Sequence, residues 1–262
     1  MLASRRLVVV AVILGTTTVS LNNTSLNPAL PAFIEAFALG PVMATWIVAA
    51  FMVSMGMTMP LTSYLAQRAG RKPLYLAGLG LFIGGSLLGA MAGSIAWVIA
   101  ARVVQGVASG LMIPLSLAII FSVYPKGERG AVTGLWGAAV MLAPAVGPLC
   151  GSLVLQWYDW RALFLVNVPI GLLALGLGVN VLPKSEAGAA KAFDLTGYLL
   201  VAIGIGVLMI TVGRLHDLQA LQDPFNLLGL LLAAFCLVAF VRHQLRHPTP
   251  LLELRIFALK GY

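Results

Sequence analysis

Eight long apolar stretches, separated by short clusters of charged and turn-forming residues, make up nearly the whole chain. They run over residues 7–33, 44–66, 73–93, 95–124, 130–156, 160–182, 195–214 and 225–242. Each is near or above the roughly 20 apolar residues that carry a helix across a bilayer. None alternates with the period of a barrel strand. A bilayer admits only helices or closed barrels, because its interior offers no water to backbone polar groups. The pattern therefore predicts an all-α integral membrane protein of eight transmembrane helices.

Composition narrows the choice. Of 262 residues, 60% are hydrophobic and 9% charged, whereas a soluble domain carries about 25% charge. No stretch remains for a soluble domain with its own core. The net charge of +8 sits in short clusters between apolar runs, which is a mark of membrane topology and not of a nucleic-acid partner. With the N-terminus inside, thirteen of the sixteen Lys and Arg residues fall on inside segments. The exceptions are Arg102, within a helix, and Arg161 and Arg214, at outside ends. This bias predicts that both termini are cytoplasmic. Ser4-Arg5-Arg6 precedes an apolar run that continues without a small-residue cleavage site, so the run reads as the first helix and not as a signal peptide. Cys150 and Cys236 lie in apolar segments, which argues against a disulfide or a metal site. No paired carboxylate, metal cluster or nucleophile with its base is apparent, so neither an enzyme nor a cofactor is expected.

Arg102 is the residue that stands out. A charge inside the membrane costs at least about 2.5–3.5 kcal/mol on insertion scales, so by default it faces a cavity. Counted from the two ends at about 1.5 Å per residue, Arg102 and Asn22 come to similar depths. The arginine can then donate to Asn22, Asn23, Thr24 or first-helix carbonyls; snorkelling to the interface is the alternative. The eight acids all map to loops or helix ends, and His216, His243 and His247 also lie outside the bilayer. The helices thus contain no proton carrier of the usual kind. Glycines four apart, at Gly80/Gly84, Gly85/Gly89, Gly106/Gly110 and Gly147/Gly151, suit close helix packing. Trp157, Tyr158 and Trp160 read as an interfacial aromatic belt.

Five segments stand out for their order and spacing: Leu21-Asn22-Asn23-Thr24-Ser25-Leu26-Asn27-Pro28-Ala29-Leu30-Pro31, Leu65-Ala66-Gln67-Arg68-Ala69-Gly70-Arg71-Lys72, Arg102-Val103-Val104-Gln105-Gly106, Ala143 through Gly151, and Trp160 through Gly171. Together they resemble the major facilitator superfamily, and more narrowly its fourteen-helix drug:proton antiporter branch, the EmrB/QacA type. The first is similar to the branch's first-helix signature, and the second to the superfamily loop between helices 2 and 3. The third resembles R-x-x-Q-G, the fourth the antiporter motif ending G-P-x-x-G, and the last adds a further match. Three positions depart from the pattern. Asn22 stands where the branch has a carboxylate, Gln67 where the loop has an acid, and Ser63 where the loop has its leading Gly.

The resemblance implies a six-helix half over 1–182, built from two inverted three-helix repeats. It also implies a cytoplasmic linker over 183–194, two extra helices over 195–246 and a tail over 247–262, beyond which the family continues into six more helices. The implied function is export of small, amphipathic molecules across the inner membrane by alternating access, with proton coupling undercut by Asn22. Asn22, Asn23, Asn27, Arg102 and Gln105 are expected at the substrate cavity. Pro144, Gly147, Pro148 and Gly151 are expected to form a gating bend, and Arg68, Gly70, Arg71 and Lys72 a cytoplasmic latch. The expected partners are substrate, lipid and a second transporter half, supplied by a homodimer or otherwise. The rival reading is a truncated or non-transporting membrane protein that acts only in assembly.

Overall fold

The computed structural model describes residues 2–185, 187–188, 192–215 and 219–253. The first span comprises α1 (Leu2–Ser25), a 3-10 turn at Asn27–Ala29, and α2 (Leu30–Phe37). The second comprises α3 (Pro41–Thr58), a turn at Met59–Leu61, and α4 (Thr62–Ala69). The third, fourth and fifth are α5 (Arg71–Ala90), α6 (Ile95–Val123) and α7 (Arg129–Leu155). The sixth joins α8 (Arg161–Leu165) to α9 (Asn167–Val181), and α10 (Leu195–Arg214) and α11 (Pro224–Arg246) complete the eight. All eight are long and apolar enough to cross a membrane, and no strand occurs among the described residues.

Three spans expected as single helices are interrupted, each beside a proline. Proline has no N–H to give the carbonyl four residues back. Pro28 leaves Thr24 without that donor, and α1 ends at Ser25. Pro60 lies in the turn that divides α3 from α4. Pro169 cannot bond Leu165, where α8 ends. By contrast, α6 runs unbroken through Pro114, and α7 through Pro144 and Pro148. A threonine hydroxyl from a neighbouring span accounts for this in two cases. Thr62 Oγ1 donates to Gly110 O, the carbonyl that Pro114 frees, at 2.9 Å. Thr24 Oγ1 donates to Pro144 O, the carbonyl that Pro148 frees, also at 2.9 Å. In lipid an unsatisfied carbonyl costs several kcal/mol, so each hydroxyl clasps two spans together while sparing a helix.

The packing pattern repeats within the chain. The first span lies against the fifth and sixth, as the fourth lies against the second and third. The two sets of contacts correspond when spans 1–3 are matched in order with spans 4–6. The seventh and eighth spans pair with each other, and the seventh rests on the second. Glycines set two of the closest seams. A Cβ at Gly106 would strike Ser54 and the Phe51 carbonyl, and one at Gly110 would strike Met55 and Thr58. A Cβ at Gly147 would strike Thr24, and one at Gly151 the Ser25 backbone. Gly85 and Gly89 also pack closely, on Gln105 and Phe164. Gly80 and Gly84, at the same spacing, have nothing within 4 Å of an added Cβ, so that pair is not a packing seam.

Gly151→Ala should therefore destabilise the purified chain by about 1–3 kcal/mol, the usual range for overpacking. The Ser25 backbone it meets cannot swing aside as a side chain would. Gly84→Ala, which meets open space, should leave the thermal midpoint in detergent unchanged. Equal midpoints for the two variants would rule out a tight seam between the first and fifth spans.

Trp160 is 2% exposed and therefore not an interfacial belt residue. It packs on Phe33 with ring centroids 4.7 Å apart, in a cluster with Leu26, Ile47 and Phe164. Trp157 and Tyr158 do lie on the surface. The fifth span presents Met141, Leu142 and Leu149 outward, an apolar face suited to lipid or to another helix.

Candidate functional site

A closed polar network lies where the first four spans meet. Arg102, on α6, has no exposed surface, and neither have Asn22, Ser86 and Gln105. Its Nε donates to Ile47 O of α3 at 2.9 Å. Its Nη1 donates to Asn22 Oδ1 of α1 at 2.7 Å and to Gln105 Oε1 at 2.9 Å. Gln105 stands one turn along the same helix face, and its Nε2 donates to Ser86 Oγ of α5 at 2.9 Å. Ser86 Oγ in turn donates to Phe82 O at 2.8 Å. The guanidinium carbon sits 4.2 Å from the centroid of the Phe51 ring, a cation–π contact. One arginine thus ties four spans together, and it does not snorkel.

The electrostatics are unusual in that every partner of this cation is neutral. Carbonyl and amide dipoles and a ring face hold it, with no carboxylate among the contacts. Donors are also in surplus. Arg102 Nη2 and Asn22 Nδ2 are buried and meet no acceptor. A buried donor left unsatisfied costs about 1–3 kcal/mol, more when charged. Two donors of the network are therefore left without an acceptor among the described residues.

The structure brings three of the five expected cavity residues together: Asn22, Arg102 and Gln105. Asn23 is half-buried, with an Oδ1 that meets no donor. Asn27 is exposed in the 3-10 turn, outside the network. Pro144, Gly147, Pro148 and Gly151 lie on α7, and Pro144, Gly147 and Gly151 pack along the seam with α1. The helix is continuous through them.

The loop between the second and third spans is stitched to its neighbours. Gly70 has φ +87°, and an added Cβ would meet Ser185 O at 2.7 Å, so both conformation and space require glycine. Lys72 Nζ donates to Val179 O at 2.6 Å and Leu182 O at 2.8 Å. These carbonyls close the last turn of α9, where a cation is favoured by the helix dipole. Lys72 N donates to Ser185 Oγ at 2.9 Å, and Gly188 N donates to Gln67 O at 2.8 Å. Arg71 Nη1 donates to Ala118 O of α6 at 3.4 Å, while Arg68 Nη1 donates to Tyr64 OH within its own helix, at 3.3 Å. A hollow of about 660 Å³ opens beside this loop, with Gln67, Arg71, Lys72, Ser122, Lys184 and Ser185 in its wall.

Sequence reasoning missed Ile47, Phe51 and Ser86 in the network, and Thr24 and Thr62 as clasps. A backbone carbonyl and a ring face leave no polar signal in the sequence. The clasps were open to inference in part, since each intrahelical proline demands a substitute donor somewhere.

A profile of the Major Facilitator Superfamily matches residues 12–254. An uncharacterized MFS-type transporter, YhcA of Bacillus subtilis (strain 168), is 30% identical over 90% of this chain and 44% of its own length. The multidrug export protein EmrB of Haemophilus influenzae is 29% identical over 98% of this chain and 50% of its own. Among solved structures, the human organic anion transporter MFSD10 (TETRAN) superposes with a TM-score of 0.63. It is 22% identical, over 81% of this chain and 56% of that one, a likeness of fold. The chain spans about half the length of the curated relatives it matches.

Proposed function

The chain belongs to the Major Facilitator Superfamily, and on that premise we propose that it forms one half of an exporter of small, amphipathic molecules in the cell's inner membrane. Residues 1–182 are the transporter half, 183–194 the linker, and 195–246 the additional pair of spans. A second half, from the remainder of a longer protein or from a second copy, completes the path. Alternating access moves one half against the other. The names of curated relatives, multidrug export proteins among them, support the direction and breadth of transport.

The observation that carries the reading is the Arg102 network. A desolvated arginine with neutral partners is expensive to keep in a membrane, and packing alone does not require it. Its surplus donors favour substrates that bring an acceptor or a negative charge. Cationic substrates find no carboxylate here. Asn22 cannot take up a proton near neutral pH, so this half supplies no proton carrier at the first-span position. Lys72 and Arg71 brace the ends of the sixth and fourth spans and hold the present conformation as a latch.

Accumulation of fluorescent compounds in cells expressing the chain tests the proposal. Anionic and neutral amphipathic dyes should accumulate less than in control cells, and cationic dyes should be unaffected. Equal accumulation of every dye, with the chain shown to be inserted, would favour a role in assembly only.

A further inference from the structure

The sequence reading found no metal-ligating cluster, yet the fold assembles one where the seventh and eighth spans meet. Asp194 caps the start of α10, with its carboxylate accepting from Gly197 N at 2.8 Å. His243 and His247 lie four residues apart at the end of α11, their ring centroids 4.9 Å apart. His243 Nε2 is 2.8 Å from Asp194 Oδ1. One ligand atom from each of the three residues falls within 4.8 Å of the other two. Forty-nine residues separate the aspartate from the first histidine, so only the pairing of α10 with α11 brings them together.

From this juxtaposition we propose that Asp194, His243 and His247 form a binding site for a single divalent transition-metal ion, best suited to Zn²⁺. Two imidazoles and one carboxylate are a ligand set that zinc takes in tetrahedral sites, with a fourth position left for solvent. At metal–ligand distances of about 2.0–2.2 Å, the edges of such a tetrahedron are near 3.3 Å. The aspartate–His243 edge, at 2.8 Å, is already shorter than that, and His247 Nδ1 accepts from Thr249 N at 3.3 Å. The metal would replace the proton that His243 and Asp194 now share.

The surroundings support the ligands. Gln244 Nε2 donates to Asp194 Oδ2 at 2.8 Å, and Gln244 Oε1 accepts from Leu252 N at 3.0 Å, so the carboxylate is oriented before any ion arrives. A hollow of about 360 Å³, lined by the two histidines with Arg242, Arg246 and Pro248, gives access. The two guanidiniums lower affinity for a bare cation, and a hydroxide or other anionic fourth ligand offsets them.

The test uses the full chain, purified in detergent with an affinity tag that lacks histidine, and Co²⁺ or Zn²⁺ alone as the probe. Expected is saturable uptake of one ion per chain, with the intense visible absorption of tetrahedral Co²⁺. His247→Ala, at the half-buried position just past the end of α11, should keep the fold and weaken binding at least about tenfold; His243→Asn should do the same. Replacing His216, or both cysteines, should change nothing. Absence of saturable binding by the unaltered chain, or full binding by His247→Ala, would overturn the proposal.

Discussion

Arg102→Ala should reach the membrane at normal abundance and transport nothing measurable. Insertion becomes easier, because removing an arginine from a span relieves about 2.5–3.5 kcal/mol on the biological insertion scale. The network fares differently. Asn22 Oδ1, Gln105 Oε1 and Ile47 O all lose the donor they share. Hydrogen bonds to a charged group contribute about 1.5–3 kcal/mol each, so losing even two corresponds to roughly a hundredfold change in any equilibrium that depends on them. Arg102→Lys should fall between, since an ammonium cannot reproduce the planar fork that reaches two spans at once. Substrate flux normalised to surface-exposed protein is the measurement. Wild-type flux in Arg102→Ala would remove the network from the transport mechanism.

The second large effect is expected from Asn22→Asp, which should make transport depend on the proton gradient. The amide now offers Arg102 one acceptor while its own Nδ2 meets none. A carboxylate replaces that unpaired donor with a second acceptor, in a network where Arg102 Nη2 has none. Stability should change little, because satisfying the orphaned donors gains about 1–3 kcal/mol each. Desolvating a carboxylate costs several kcal/mol in return. The functional change is larger, since a titratable group then stands inside the membrane. Dissipating the gradient with a protonophore should leave the unaltered protein's transport intact and reduce that of Asn22→Asp by most of its value. Protonophore sensitivity in the unaltered protein would place the proton carrier elsewhere.

Much of this architecture is legible in the pattern of apolar and polar residues. Eight runs were long enough to span, and eight candidate spans are present among the described residues. Arg102 announces itself as a charge in an apolar helix, and Gln105 follows on the same face. Other features were hidden because they depend on which face of a helix meets which neighbour. Gly80/Gly84 and Gly106/Gly110 have the same spacing, yet one pair faces outward and the other sits against α3. The break at Met59–Leu61 was signalled by Pro60, but Pro114 gave the same signal in a helix that continues. In α6 the carbonyl freed by Pro114 is taken by the Thr62 hydroxyl of another span, which spacing along α6 cannot reveal. The aspartate–histidine cluster stayed hidden for a similar reason, because its members are joined only by the pairing of two spans.

The linker after the sixth span is held at both ends by the same short helix. Gly188 bonds Gln67, and Phe193 rests on Tyr64 with ring centroids 4.6 Å apart; both partners lie on α4. Phe193 stands two residues before α10, so the second anchor meets the start of the additional pair. The additional pair of spans is therefore no free passenger on a long tether. It is geared to α4, at the loop end of the second span, like an outrigger to its beam.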